Sequence, residues 1–151
     1  MARDRKVKLP VSQLLVYPIA GTDFDTPSYT ENANAKPLNK AMMQWFFKQY
    51  LKSADDAHDP RLSLVNADLH GMPPTTLVIA EIDPLRSEGE LLGKRLEAAG
   101  VKVRSKTYPG VTHEFFGMGA AVAEAKDAEA FAAEGLRKSF AKAPRPMGRR
   151  R

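Results

Sequence analysis

Cysteine is absent from all 151 residues of the sequence. Disulfide bonds, thiolate metal sites and cysteine nucleophiles are therefore excluded. The absence is compatible with a reducing compartment, and we expect a cytoplasmic location. Two of the three histidines, His58 and His70, lie in polar loops without the spacing of metal ligands, so we expect no metal and no other cofactor.

Long apolar runs are missing as well. No stretch approaches the roughly 20 apolar residues that a membrane-spanning helix needs. The opening MARDRKVK is charged, unlike the apolar core of a signal peptide. We therefore predict no membrane span. The composition, with 43% hydrophobic and 27% charged residues, is typical of a globular domain.

Acidic residues are fewer than basic ones, 18 against 23, which gives a net charge of +5. Much of the basic excess lies in the first residues, MARDRKVK, and in the last, APRPMGRRR. Aromatic residues do not alternate with these charges, so we expect solvated ends and no nucleic-acid partner. We interpret residues 1–143 as one structural unit and residues 144–151 as a disordered basic tail.

What the sequence does contain is an alternation of short apolar strands and amphipathic helices. Residues 13–17 (QLLVY) suit a strand that is buried on both faces of a sheet. We predict further strands at residues 75–80 and 101–108, helices at residues 38–51, 85–99 and 120–140, and loops at residues 20–37 and 55–72. This order predicts an α/β fold with a mostly parallel sheet flanked by helices.

The large side chains of the predicted helices recur at helical spacing. In the first helix these are Met42, Trp45, Phe46 and Tyr50. In the second they are Leu85, Leu92, Leu96 and Ala99, and the following Gly100 is expected to end the helix. In the last helix we expect a buried side formed by Phe131, Leu136 and Phe140.

Asp83, in the stretch TTLVIAEIDPLRSEGE, admits two interpretations. Asp is a preferred N-cap and Pro is favoured at the first helical position, so one interpretation is that Asp83 and Pro84 begin a helix. An N-cap of this kind stabilises a helix by about 1 kcal/mol. Working residues of open α/β sheets also gather beyond the carboxyl ends of strands, which is where Asp83 lies. The spacing leaves both interpretations open, and they are compatible with each other.

His113 lies in the loop after the next predicted strand, at the same edge of the sheet and 30 residues beyond Asp83. Because adjacent parallel strands are about 4.8 Å apart, the two side chains can reach each other. A carboxylate in that position would hold one imidazole tautomer and stabilise the protonated ring. The alternative is an ordinary loop histidine.

The residues IDPLRSEGELLGKRLEAAGVKVRSKTYPGVTHEFF closely resemble the C-terminal catalytic segment of the hormone-sensitive-lipase-like carboxylesterases, which have the α/β-hydrolase fold. The family pattern is a strand ending in D-P-L-R-D/S-E-G, an amphipathic helix, A-G-V, a second strand and Y-P-G-x-x-H-x-F. The run QLLVYP resembles the family's strand after the nucleophile helix. The resemblance thus covers roughly residues 7–140.

The resemblance implies that the chain is the C-terminal part of an α/β-hydrolase fold, with part of a cap region in residues 20–72. It implies that Asp83 is the acid and His113 the general base of a catalytic triad in a carboxylic-ester hydrolase. Met42, Trp45 and Phe46, together with Phe47, would line an acyl-binding wall, although plain helix packing explains them equally well. One departure is Glu114, because the family often has Gly after the histidine.

The nucleophile motif of the family is missing. None of the seven serines has the G-x-S-x-G context, and there is no HGGG-type oxyanion motif. We therefore expect the isolated chain to lack esterase activity, and to act on a small acyl ester only if an N-terminal half completes it. The alternative is a non-catalytic remnant or interaction module. We also expect self-association through an exposed edge of the sheet.

Overall fold

The computed structural model of the chain describes residues 1–142, and the predicted tail at residues 144–151 lies outside the described residues. Within them, three strands form one parallel sheet in the order β1-β2-β3. The strands are β1 (Gln13–Val16), β2 (Thr75–Ile82) and β3 (Val103–Thr112). The helices are α1 (Pro27–Glu31), α2 (Lys40–Tyr50), α3 (Arg86–Ala98) and α4 (Ala123–Lys142). The prediction of a parallel α/β arrangement is confirmed.

The central strand β2 is buried on both faces over its first six residues, as its continuous apolar run requires. α3 covers the face that carries Leu77 and Ile79. Leu92, Leu96 and Ala99 of the predicted stripe pack in one cluster on that helix, whereas Leu85 precedes α3 and packs in a separate cluster with Tyr29 and Met43. α4 covers the opposite face, where Val78 joins its core cluster. The sheet is therefore enclosed by one helix on each side.

The predicted buried side of α4 is wrong. Phe140 is 61% exposed, and Phe131 and Leu136 are only partly buried. The residues that face the sheet are small: Ala125, Ala128, Ala132 and Gly135. A Cβ on Gly135 would lie 2.1 Å from Thr76 Oγ1, so the backbone of α4 approaches β2 too closely for large side chains.

A helix lies inside the predicted loop at residues 20–37. α1 begins at Pro27, a residue that is favoured in the first turn of a helix. Ser28 is fully buried; its Oγ donates to the carbonyl of Pro84 at 2.6 Å and accepts the N–H of Ser87 at 3.0 Å. These bonds join the segment after β1 to the start of α3.

The predicted end of α3 is confirmed. Gly100 has φ +78°, in the left-handed region. The N–H of Gly100 donates to the carbonyl of Glu97 at 2.9 Å, and the N–H of Val101 donates to the carbonyl of Leu96 at 3.0 Å. These two hydrogen bonds form a Schellman motif. Val101 then packs with Leu96 and leads directly into β3.

Candidate active site

An irregularity in the sheet aligns the two residues that follow β2 and β3. Along most of the pairing, partners differ by 28 in residue number, as for Val78 and Lys106. At the end of β2 the difference is 30, because Ile82 pairs with Thr112. β3 therefore carries two extra residues there, and it continues to Thr112 instead of ending at residue 108 as predicted. Asp83 and His113 leave the sheet from paired positions.

Gly110 lies within this irregular segment of β3. Its φ is +70°, a conformation that disfavours residues with a Cβ. Its N–H donates to Glu81 Oε2 at 2.6 Å, which ties the extra residues of β3 to the end of β2. The sequence PG in a predicted loop was the available signal for this turn.

Asp83 is 1% exposed and uses its two carboxylate oxygens separately. Oδ1 accepts the N–H of Leu85 at 2.9 Å, and Oδ2 lies 2.7 Å from His113 Nδ1. The first contact belongs to the start of the helix, although α3 itself begins at Arg86, three residues after Asp83. The contact with His113 is the one that the second interpretation required, whereas the N-cap interpretation is wrong: Leu85 is the N-cap of α3, and that helix has no side-chain capping bond.

The contact with Asp83 determines how the His113 ring can act. An ionised carboxylate only accepts hydrogen bonds, so Nδ1 carries the proton and Nε2 of the neutral ring holds a free lone pair. The His113 side chain is 17% exposed. Within residues 1–142, no serine hydroxyl hydrogen bonds to this ring. The arrangement can take up a proton at Nε2 and stabilise the resulting imidazolium.

Two residues with unusual backbone conformations flank His113. Glu114 has φ +70° and ψ 0°, and Tyr17, at the end of β1, has φ +34°. Residues other than glycine pay about 1–3 kcal/mol for such conformations, which cluster at functional sites. The left-handed backbone at Glu114 is a conformation that favours glycine, which accounts for the Gly that the family pattern often has where this chain has Glu114. Tyr17 was missed by the sequence analysis.

Glu88 is a second buried carboxylate near Asp83, and it was also missed. It is 3% exposed; its Oε1 accepts the N–H groups of Ala20 at 2.7 Å and Gly21 at 3.2 Å. Its Oε2 is buried without a hydrogen-bond partner among the described residues. Burial raises the pKa of Glu88 to about 7, against the opposing effect of the two backbone hydrogen bonds. The available signal was its position one turn before Leu92, on the apolar stripe of α3.

The predicted substrate-binding residues lie on α2. Its buried residues are Met43 and Phe47, whereas Met42, Trp45 and Phe46 are 39%, 58% and 43% exposed. Phe46 lines an open cavity of about 410 Å³. The other residues that line it are Ile19, Phe47, Gln49, Tyr50, Arg61 and Leu62. Ile19 is two residues beyond Tyr17, so this cavity adjoins the segment that packs on His113.

The two remaining histidines lie on polar surface. His70 is exposed, and its Nδ1 lies 2.7 Å from Asp68 Oδ1. His58 ends a short 3₁₀ turn. Among residues 1–142, no three His, Asp or Glu side chains are grouped closely enough to hold a metal ion. No helix in the same range is both long and apolar enough to cross a membrane.

Residues 1–117 match the family described as the alpha/beta hydrolase fold. The ethyl acetate hydrolase of Pseudomonas putida is 33% identical over 137 residues, covering 90% of this chain and 43% of that protein. Carboxylesterase NlhH of Mycobacterium tuberculosis is 36% identical over 132 residues, covering 85% and 41%. A solved hyperthermophilic esterase from Pyrobaculum calidifontis is 36% identical with a TM-score of 0.84, covering 95% of this chain and 48% of that one. The chain thus spans less than half the length of these relatives.

Proposed function

The chain belongs to the α/β-hydrolase family, among its carboxylesterases, and on that premise we propose that Asp83 and His113 are the acid and general base of a serine ester hydrolase. The family and fold predicted from the sequence are thereby confirmed. The observation that carries the proposal is the 2.7 Å contact between Asp83 Oδ2 and His113 Nδ1. It leaves His113 Nε2 as the atom that exchanges protons.

In the proposed reaction, Nε2 accepts the proton of a serine hydroxyl while the serine oxygen bonds to the ester carbonyl carbon. The proton then passes to the alcohol oxygen as the ester C–O bond breaks, which releases the alcohol and leaves an acyl-serine. Water repeats the sequence: its proton goes to Nε2, its oxygen bonds to the acyl carbon, and the proton returns to serine as the acid departs. Asp83 orients the ring and stabilises the imidazolium throughout.

The serine and the oxyanion donors are proposed to come from outside these 151 residues, since the sequence has neither G-x-S-x-G nor an HGGG-type motif. Ser28 and Ser87 are the serines beside the start of α3, and they bond to each other's backbone N–H. Loss of both nucleophile and oxyanion hole removes nearly all catalysis of this type. The purified chain alone should therefore not hydrolyse esters.

The proposed substrate is a small acyl ester, with Met42, Trp45 and Phe46 forming an apolar wall for it. Support comes from the Phe46-lined cavity and from the similarity to the ethyl acetate hydrolase of Pseudomonas putida. Trp45 and Phe46 pack edge to face with ring centroids 5.3 Å apart, which gives the wall a defined aromatic surface.

β1 offers a second contact surface. Within residues 1–142 it pairs with β2 along one edge, and its other edge has no strand beside it. We propose that this edge receives the completing part of the fold or, without it, a second copy of the chain. Concentration-dependent association of the purified chain would support this; a monomer at all concentrations would contradict it.

The test of the catalytic proposal is a chimera in which this chain replaces the matching segment of the Pseudomonas putida ethyl acetate hydrolase. We expect the chimera to hydrolyse p-nitrophenyl acetate and His113→Ala to lower kcat at least about 10³-fold. His70→Ala is the matched control, because His70 also contacts an aspartate but is exposed. If the chimera is folded and active and its kcat is unchanged by His113→Ala, the proposal is wrong.

The chain alone provides the second arm. Ester hydrolysis that disappears with His113→Ala would mean that these 151 residues contain a nucleophile, and the proposal of an external serine would be wrong. No hydrolysis by the chain, combined with an active chimera, is the expected result. No hydrolysis by either, with the chimera folded, would favour the alternative of a non-catalytic interaction module.

A further inference from the structure

We infer that Tyr17 is a positioning residue that holds the plane of the His113 imidazole. The inference rests on the proposed function, because it concerns the ring that would exchange protons. The hydrogen bond to Asp83 constrains Nδ1 but leaves the ring able to rotate about the line between the two residues. A second contact with the ring itself is needed to fix the direction of Nε2.

Tyr17 supplies that contact. Its ring centroid lies 4.3 Å from that of His113, at an interplanar angle of 52°. Tyr17 is itself backed by Phe115, 6.2 Å away, and Phe115 packs on Tyr108 at 5.4 Å. Phe115 and Tyr108 are 1% and 2% exposed. His113 is thus joined through Tyr17 to rigid core rings on β3 and the turn that follows it.

The backbone of Tyr17 is held in the conformation that makes this contact. Its φ of +34° is unusual for a bulky residue, and Pro18 follows it directly. Its N–H donates to the carbonyl of Val78 at 2.7 Å, so the conformation is anchored to β2. β1 thereby ends in a turn that directs an aromatic ring towards the carboxyl edge of the sheet, where Asp83 and His113 lie.

The ring, and not the hydroxyl, makes the contact that matters. Burial raises the pKa of the Tyr17 phenol, and the nearby carboxylates of Glu114 and Asp83 raise it further, so the phenol stays neutral. Among residues 1–142, no hydrogen bond to Tyr17 Oη is formed. The negative face of an aromatic ring favours a neighbouring cation, which here is the imidazolium formed during proton transfer.

The test is NMR of the full chain with its histidines labelled with ¹⁵N, comparing Tyr17→Phe and Tyr17→Leu with the natural sequence. We expect His113 to be protonated at Nδ1 when neutral, with imidazole proton shifts displaced by the ring current of Tyr17. Tyr17→Phe should keep both signatures. Tyr17→Leu should keep the Nδ1–H tautomer, because Asp83 still accepts that proton, but it should lose the ring-current displacement and increase the mobility of the His113 ring in ¹⁵N relaxation, while the His70 signals stay unchanged.

Two results would overturn the inference: mobility of the His113 ring that is unchanged in Tyr17→Leu, or mobility that increases in Tyr17→Phe, which would assign the effect to the hydroxyl. If Tyr17→Leu does not fold, the inference can still be tested in the natural chain, which must show cross-relaxation between the ring protons of Tyr17 and those of His113. Absence of that signal is also sufficient to reject it.

Activity of the chimera separates this inference from the proposed function. Tyr17→Leu should lower kcat about 10- to 100-fold with KM within about twofold, and Tyr17→Phe should change neither by more than about twofold. If His113→Ala leaves the chimera active, the proposed function fails whatever Tyr17 does. If His113 is required and Tyr17→Leu keeps full kcat, the inference about Tyr17 alone fails.

Discussion

The part of the chain that the structure describes contains two aspartate–histidine pairs with the same contact distance and opposite surroundings. Asp83 Oδ2 and His113 Nδ1 are 2.7 Å apart, and so are Asp68 Oδ1 and His70 Nδ1. The side chains of the first pair are 1% and 17% exposed, those of the second 63% and 79%. The buried pair joins two strand ends 30 residues apart, whereas the exposed pair spans two residues of one loop.

The comparison shows that the hydrogen-bond length alone does not distinguish a candidate active site from an ordinary pair on the surface. In water, an exposed pair gains little from its charges and competes with solvent for every contact. In the buried pair, the carboxylate has no solvent to replace either partner, and each of its oxygens has a defined role. Topology and burial, and not distance, single out Asp83 and His113.

The largest expected difference between the pairs is in catalysis. In the chimera, Asp83→Asn should lower kcat about 10³- to 10⁴-fold, because an amide nitrogen facing Nδ1 favours the wrong imidazole tautomer. Asp68→Asn should leave kcat unchanged. Steady-state hydrolysis of p-nitrophenyl acetate measures both. Equal effects of the two substitutions would remove the distinction between the pairs.

The next effect concerns Glu88, which is buried like Asp83 and whose hydrogen-bond partners among residues 1–142 are two backbone N–H groups. Its pKa of about 7, against an ordinary value of 4.5, means that the native chain favours the protonated acid. Its contribution to stability is therefore complete below pH 4.5 and lost as the pH rises to about 7, by roughly 3 kcal/mol. Urea unfolding across this range should show the decline, and Glu88→Gln should flatten it.

Glu97 is the matched control for that experiment, since it lies exposed on the same helix. Glu97→Gln should leave the pH dependence of the unfolding free energy as it is in the natural chain. A pH profile that is identical in the natural chain and in Glu88→Gln would show that Glu88 does not carry the effect.

A smaller effect is expected from Gly110, which has the same φ of +70° as Gly71 beside His70. Neither position has a neighbour within 4 Å of an added Cβ, so alanine at either should cost about 1–2 kcal/mol of backbone strain. Thermal or urea unfolding should show similar losses. Only Gly110→Ala should also lower kcat in the chimera, because Gly110 belongs to the segment that aligns His113 with Asp83. Unchanged kcat would argue against that role.

The smallest expected effect is a stabilisation. Glu114→Gly removes the Cβ that strains a residue with left-handed backbone. We expect the relief of strain to outweigh the added entropy of the unfolded chain, so that the free energy of unfolding rises by about 0.5–1 kcal/mol. Glu114→Gln keeps the Cβ and removes the charge, so it should not share this gain in urea unfolding. Equal gains for both would assign the effect to charge instead of backbone strain.

The sequence was sufficient to predict the parallel sheet and the proximity of Asp83 and His113. Both follow from apolar runs of strand length, from the helix between them and from the rule that carboxyl ends of parallel strands share an edge. From the sequence, the segment PG could not be interpreted as part of a strand that carries two extra residues. Without them, the residue opposite Asp83 would be Val111 and not His113.

The faces of the outer helices were the least predictable part. Large side chains at helical spacing occur on both sides of α2, and the buried positions are Met43 and Phe47. On α4, the close approach of the helix to Thr76 leaves room only for small residues on the buried face. A search for large apolar side chains at helical spacing does not find such a face. Which side of a helix meets the sheet depends on the distance between them, and that distance is set by contacts far away in the chain.

The parallel register also bears on how the chain folds. β2 and β3 meet across 28 residues, from Thr75 to Val103, and α3 fills most of that span, whereas β1 and β2 meet across 62 residues, from Gln13 to Thr75. Closing the longer loop costs about 0.7 kcal/mol more chain entropy. We expect β2, α3 and β3 to form first and β1 to join later. Asp83 and His113 belong to the early unit and Tyr17 to the late one, so folding brings the pair together before the ring that packs on it.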